Sequence, residues 1–386
     1  MNKQRIILLI VLVGIVGAIW YLQSQNKSAQ PATTNNNVST DATIPVEATM
    51  PLVKAPKMSL DEKAKQYQRA KEIVNPSGFI NTDRITIASL IGKKVILIDF
   101  WTYSCINCQR TTPYLNAWYD KYKDKGLEIV SIHSPEFEFE KDINNVRAAV
   151  KSENITFPVV LDNDFATWQA YGNRYWPRKY LIDIDGFITY DHIGEGGYDE
   201  TEKKIQEALA ERMERLQLAG NIEATVTTPP DAITPVNGSP ETYFGSTRNE
   251  LLANGTPLKE GSQTFVSPTL LQADKLYLTG SWDILPQYAL NTTANNTILY
   301  NYTAKDVYFV AKAHTNLATL KITRDGKALT PQSAGRDVVT SATGSTVTIN
   351  ESRLYHLIHD TTEGSHSIQI TVPGANSLEA YTFTFG

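Results

Sequence analysis

The sequence predicts an α/β sandwich with a mixed central sheet flanked by helices, then an all-β sandwich or jelly roll, both carried behind a single N-terminal transmembrane helix. Three observations predict it. From about residue 58 to 218, apolar strand-like runs alternate with helical segments and finish in a hairpin and a helix. Over 241–386, short strands with turn signals replace the helices. Residues 6–22 form an uncharged run of seventeen that follows Lys3 and Arg5.

That run is at the short end for a spanning helix, which needs about 17–25 apolar residues, and Trp20 and Tyr21 stand where an interfacial belt would be. A cleaved signal peptide is the alternative. Its apolar core is usually shorter, and residues 23–27 offer no small-x-small site. No cysteine near the run can carry a lipid. Positive residues before the span and few after it put 1–22 down as a cytoplasmic tip and membrane anchor. The protein is then single-pass in a bacterial cell membrane, with extracytoplasmic soluble domains. Residues 23–57, rich in Thr, Asn, Ala and Pro without apolar periodicity, read as a disordered tether.

The first domain, 58–218, opens with a helix over 60–73 ended by Asn75-Pro76-Ser77-Gly78. A strand at 95–101, a helix at 105–122, a strand at 127–133 and a helix at 139–152 follow. A strand at 157–161, a short helix at 165–171, strands at 180–183 and 187–192 joined across Asp185-Gly186, and a helix at 200–218 complete it. In the last helix Ile205, Leu209, Met213 and Leu216 recur every three or four residues. Residues 219–240, with Pro229-Pro230 and Pro235-Val236-Asn237-Gly238, read as a linker. Short strands are expected in 241–386, for example at 275–279, 307–312, 319–323, 346–349, 354–358, 367–372 and 381–385.

A chain of 386 residues with 41% hydrophobic content supports two domains with separate cores. Net charge −5 and the lack of a Lys/Arg-rich run exclude nucleic acid as a partner.

Both cysteines lie in Cys105-Ile106-Asn107-Cys108, directly after the apolar run Val95–Trp101. Two thiols spaced by two residues where a strand hands over to a helix can close a disulfide within one turn. The helix dipole favours a thiolate at the first position, so Cys105 is expected as nucleophile and Cys108 as resolving thiol. Structural zinc needs four ligands, and no second cysteine pair accompanies these. A purely structural bridge over so short a loop stabilises little. The chemistry implied is thiol–disulfide exchange with the cysteine pair itself as the redox group and no cofactor. Asp99 stands six residues before Cys105 inside the apolar strand, where burial should raise its pKa. It can take the proton of Cys108, the alternative being a structural acid paired elsewhere.

These residues resemble the thioredoxin superfamily, whose signature appears as Asp99-Phe100-Trp101, Cys105, Cys108 and Pro113. The resemblance implies a thioredoxin-like fold and a cis-proline at Pro177 facing the thiols, with Trp176 and Pro177 as substrate contacts. Trp101, Ile106 and Asn107 complete the expected substrate-binding set, and a core role is the alternative for Trp176. The run from Asp99 to Cys108, Trp176-Pro177-Arg178 and Gly194-Glu195-Gly196-Gly197-Tyr198 is more closely similar to the thioredoxin-like part of DipZ-type proteins, near the TlpA and ResA branch. The segment from Glu241, with Tyr243-Phe244-Gly245 and Tyr381-Thr382-Phe383-Thr384-Phe385-Gly386, resembles the β domain that follows in that family. DipZ-type proteins usually begin with a multi-helix membrane domain that carries electrons on its own cysteines. This chain has one span without cysteine, so the resemblance implies a separate CcdA-like or DsbD-like membrane donor. The dipeptide Ile106-Asn107 differs from the Gly-Pro of thioredoxin, so the redox potential does not carry over.

The favoured reading is a membrane-anchored reductase of protein disulfides. An oxidase or isomerase of the same fold is one alternative, and a surface module gripping glycan or protein is another. For the latter, Tyr277, Trp282, Tyr288 and Tyr300 are a stacking platform or else core residues. Thr102 stands as in the Thr-x-x-Cys of peroxiredoxins, but Ile98 occupies the position where their proline is expected. His133, at a strand end, either tunes Cys105 or faces solvent. His356 and His359, three apart on a strand, are expected on opposite faces, which disfavours a shared metal.

Overall fold

A computed structural model describes residues 53–54, 58–230, 238–315 and 317–386. The expected anchor, most of the tether and part of the linker lie outside the described residues. Among the described residues no helix is long and apolar enough to cross a membrane.

The first domain is a mixed sheet of β1 (Gln68–Arg69), β2 (Gly78–Ile80), β3 (Val95–Trp101), β4 (Leu127–His133), β5 (Val159–Leu161), β6 (Arg178–Ile182) and β7 (Phe187–Ile193), in the order β1-β7-β6-β3-β4-β5-β2. Its helices are α1 (Leu60–Gln66), α2 (Ile87–Leu90), α3 (Ile106–Tyr122), α4 (Ile143–Ser152), α5 (Ala166–Ala170) and α6 (Tyr198–Arg215). β3 is buried along its whole length because it has a strand on each side and helices on both faces. Val95, Leu97 and Trp101 pack with Trp118 and Tyr122 of α3 and Ile205 and Leu209 of α6. Ile96, Ile98 and Phe100 pack on the opposite face with Val130, Ile132 and Tyr180. By alternation Asp99 therefore points into the layer beneath α3.

Two expected helices are shorter in the structure. α1 stops at Gln66, since Tyr67 is extended and residues 68–69 pair with β7 as an edge strand. The segment 139–152 divides into a 3₁₀ turn at Glu138–Lys141 and α4, because the Asp142 side chain caps the amide of Asn144.

Among the described residues the short strands expected at 354–358 and 367–372 are one continuous strand, and the second domain holds eleven strands in one sheet. They are β8 (Thr242–Tyr243), β9 (Gly261–Phe265), β10 (Leu276–Ile284), β11 (Ala289–Asn291), β12 (Asn296–Ala313), β13 (Ala318–Arg324), β14 (Lys327–Ala328), β15 (Val338–Ser341), β16 (Gly344–Ile349), β17 (Arg353–Val372) and β18 (Leu378–Phe385). The two long strands β12 and β17 pair with each other over most of their length. β12 also pairs with β10 through its first half and with β18 through its second, and β11 joins β10 to β18. The sheet therefore wraps one apolar core that includes Trp282, Tyr300, Phe309 and Phe383.

Burial along β12 alternates as far as Lys305 and then becomes continuous over 306–311. Val307, Phe309 and Ala311 face the domain's own core, whereas Tyr308 and Val310 join Leu354, Tyr381, Ile106 and Phe137 in a separate buried cluster. The first domain thus covers the outer face of this part of the sheet. Phe137 and Phe139 both meet the Tyr381 ring edge-on at 4.9 Å. Arg248 bonds Glu136 at 2.7 Å across the same seam.

Candidate active site

The central strand β3 ends at Trp101, and three buried residues later the chain enters α3 with Cys105 as its N-cap. The amides of Cys108 and Gln109 both donate to the Cys105 carbonyl, at 3.1 and 3.0 Å, which places both thiols in one helical turn. Cys105 is half-buried and Cys108 is buried. Burial pushes the Cys108 thiol well above its ordinary pKa, and the neighbouring Cys105 and Asp99 push it in the same direction. The pair is asymmetric: solvent reaches Cys105, and Cys108 keeps its proton until something nearby accepts it.

Asp99 is 2% exposed, and its charge acts on the Cys108 thiol. Burial raises its carboxyl to about 6, opposed by the charge of Lys179 and a 3.4 Å hydrogen bond from the Ser131 hydroxyl. Its Oδ1 has no hydrogen-bond partner among the described residues. Ser131 and Lys179 are the residues abreast of Asp99 on the two flanking strands. Lys179 is fully buried, and burial lowers its pKa against the charges of Asp99, Cys108 and Glu195. Its Nζ donates to the Gly194 carbonyl at 3.2 Å. This lysine, which the sequence reading does not single out, makes the Gly194-Glu195-Gly196-Gly197 turn part of the site. Gly197, at a left-handed φ of 59°, leaves no room for a Cβ beside His192.

A second buried acid supports the loop before Cys105. Glu140 accepts from the amide and hydroxyl of Ser104 at 3.2 and 2.7 Å, and from the amides of Glu136 and Phe137 at 2.6 and 2.9 Å. Burial raises its pKa. His133 does not face solvent: it is fully buried, stacked on Tyr103 and edge-on to Trp101, with Nε2 3.5 Å from the Thr102 hydroxyl. Burial lowers it to about 3, so it is neutral. The only sequence signal for this burial is its place at the end of an apolar strand.

The Trp176–Pro177 bond is cis. Phe100 lies opposite Arg178 in the antiparallel register, so Pro177 comes abreast of Trp101 at the edge where the thiols sit. Trp176 is anchored by its indole N–H, which donates to the Ser134 carbonyl at 3.0 Å, and by the Trp168 ring at 4.5 Å. Asn107 is half-buried like Cys105. Trp101 and Ile106, expected as substrate contacts, are buried instead: Trp101 lies in the core under α3, and Ile106 is covered by Tyr308, Val310 and Leu354 of the second domain. Pro177 is buried as well, so of the expected contacts Cys105, Asn107 and Trp176 are the partly exposed ones.

The proposed stacking platform is not formed. Trp282, Tyr300 and Tyr277 are buried, and Tyr288 packs against Tyr381 at 5.1 Å. His356 and His359 likewise depart from expectation, since both contact Asp306 Oδ1, at 2.8 and 2.7 Å. A bulge in the β12–β17 pairing brings them to one face. Among the described residues the other cluster of potential metal ligands, Asp183, Asp185 and Glu211, already surrounds the Lys63 ammonium at 2.5–2.8 Å.

Residues 80–209 match the family described as Redoxin, and residues 239–386 the family described as Thioredoxin like C-terminal domain. The chain is 40% identical over 264 residues to Protein DipZ of Mycobacterium bovis, a match covering 68% of this chain and 37% of that protein. It therefore spans little more than a third of DipZ's length. Over 147 residues it is 33% identical to the thiol-disulfide oxidoreductase YkuV of Bacillus subtilis, covering 38% of this chain and 98% of YkuV. Over 145 residues it is 34% identical to the thiol-disulfide oxidoreductase ResA of Bacillus cereus, covering 36% of this chain and 79% of ResA. With YkuV matched over nearly its whole length, the chain belongs to the thioredoxin-like thiol–disulfide oxidoreductases.

Proposed function

We propose that this chain reduces disulfides in protein substrates outside the cytoplasm, held to the membrane by residues 1–22. The Cys105 thiolate attacks one sulfur of the substrate disulfide and releases the other as a thiolate, leaving a mixed disulfide. Cys108 passes its proton to Asp99 and attacks Cys105 Sγ, which frees the second substrate thiolate and leaves Cys105–Cys108 oxidised. The released thiolates take up protons, one of them the proton held on Asp99. Two electrons from a CcdA-like or DsbD-like membrane donor then restore the dithiol, and no further cofactor is needed.

The observation that carries this reading is the asymmetry of the pair: a reachable Cys105 at a helix N-terminus, and a buried Cys108 in the same layer as a carboxyl raised to about 6. Reduction of insulin disulfides by the full chain, with dithiothreitol as reductant, tests it. Cys105→Ser should abolish turnover, and reduced Cys108→Ser mixed with insulin after dithiothreitol is removed should accumulate the mixed disulfide. Full activity in Cys105→Ser sinks the proposal. The direction is checked by equilibration against glutathione, where a reductant settles at about −270 mV and an oxidant at about −120 mV.

A further inference from the structure

The C-terminal domain carries a second constellation that thiol exchange does not use. Asp306 lies on β12, and His356 and His359 on β17. A regular strand would send two residues three apart to opposite faces. Here Val307 is abreast of Ile358 and Tyr308 of His356, so Leu357 has no partner. Leu357 and Ile358 both turn into the domain core. The bulge thereby delivers His356 and His359 to the outer face, where both meet Asp306.

Three potential ligand atoms, His356 Nε2, His359 Nδ1 and a carboxylate oxygen of Asp306, lie within 4.8 Å of one another. His356 is held from outside the group: its ring stacks on Tyr308 at 4.5 Å, and its amide donates to Asp337 Oδ2 at 2.7 Å. The stack and the amide bond fix where the His356 ring sits on the outer face. Tetrahedral zinc, with bonds of about 2.0–2.1 Å, needs ligand atoms about 3.3 Å apart, so the two N···O contacts would open by about half an ångström and the two nitrogens, now within 4.8 Å, would settle near the same spacing. Two imidazoles and one carboxylate suit zinc or copper(II) rather than calcium or magnesium, which take oxygen ligands.

The group borders a cavity of about 560 Å³, whose walls include Arg110 and Pro113 of α3 as well as Lys305, Asp306, His356 and His359. A three-ligand ion would keep its open position toward this space. The positive charges of Arg110 and Lys305 hold its affinity below that of a closed structural site.

We propose that Asp306, His356 and His359 form a three-ligand site for zinc or copper(II), its open position facing the cavity beside the thiol-bearing helix. Binding transfers no electrons: as His356 Nε2 and His359 Nδ1 take the metal, each imidazole keeps one proton on its other ring nitrogen, and a ring that carries two protons gives the second to solvent.

The test uses the full chain carrying Cys105→Ser and Cys108→Ser, so that the thiols bind no metal and the outcome is independent of the redox reading. Calorimetric titration with Zn²⁺ should show one ion per chain. Cu²⁺ added at one equivalent should give an electron paramagnetic resonance spectrum with coupling to two imidazole nitrogens. His359→Ala, His356→Ala and Asp306→Asn should each weaken Zn²⁺ binding about tenfold or more. Absence of saturable Zn²⁺ binding overturns the proposal, as does unchanged affinity in His359→Ala, whose half-exposed ring makes it the variant least prone to unfold. Should a variant unfold, the copper spectrum of the parent decides, and a signal without two imidazoles counts against the site.

Discussion

The Tyr103 hydroxyl donates a 2.9 Å hydrogen bond to the Ser352 carbonyl, tying the residue two before Cys105 to the residue that precedes the 20-residue strand β17. With Ile106 buried under Leu354 and Val310, the C-terminal domain becomes one wall of the redox site.

Truncating either side of that wall should cost stability as a core deletion does. Tyr381→Ala, which removes the ring that Phe137 and Phe139 both pack against, is expected to lose about 3–5 kcal/mol, and Ile106→Ala about 2–5 kcal/mol. Chemical denaturation measures both. Hydrogen exchange in Tyr381→Ala should rise on the 103–108 loop as well as on β18, and a rise confined to β18 would contradict the shared wall.

Asp99 should govern the acid side of the rate profile. Cys108 can lose its proton to Asp99 only when that carboxyl is ionised, so resolution of the mixed disulfide should fall as pH drops through about 6. Asp99→Asn should slow this step about 10²-fold and erase the limb. Lys179→Met removes the charge that favours ionised Asp99 and should move the limb to higher pH. Stopped-flow fluorescence of the resolving step reads all three.

Glu140→Gln puts an amide N–H₂ among groups that donate hydrogen bonds. The two backbone amides and the Ser104 groups that a carboxylate satisfies cannot all be met by one carbonyl oxygen. The expected loss is about 1–3 kcal/mol by urea denaturation. Unchanged stability would mean that Glu140 does not hold the loop.

Two buried groups pull stability in opposite directions with pH. The folded pKa of Asp99 is raised to about 6, so its contribution is full below about 3.9, the unfolded value, and is lost as pH rises through 6. The folded pKa of His133 is lowered to about 3, so its contribution is present above about 6.5 and is lost as pH falls through 3. Between pH 6 and 4, Asp99→Asn should therefore steepen the loss of stability on acidification and His133→Asn should flatten it. Denaturation midpoints across that range give the answer, and in NMR the His133 ring should not titrate above pH 4.

Much of the first domain can be read from residue patterns because each pattern is local. Val95–Trp101 is apolar apart from one acid, the thiols follow at a helix start, and Asp185-Gly186 turns a hairpin. The continuous apolar run from Val307 to Ala311 already breaks the alternation of β12 and signals burial on both faces, but it does not say what covers the outer face. Lys179 stands beside Tyr180-Leu181-Ile182 in a strand, where an unpaired cation is costly, and that oddity is the one sequence clue to its pairing with Asp99.

What the sequence alone determined is the chemistry: two sulfurs one helical turn apart, and an acid placed by period-two alternation on their side of the central strand. Spacing suffices for this, since the geometry within a strand or a helix turn depends only on neighbours along the chain. Tertiary structure decided the rest. Strand register set Lys179 beside Asp99, domain docking buried Ile106, and a bulge turned His356 and His359 onto Asp306. Each of these joins residues far apart in the chain, and their meeting depends on how whole elements pair and pack.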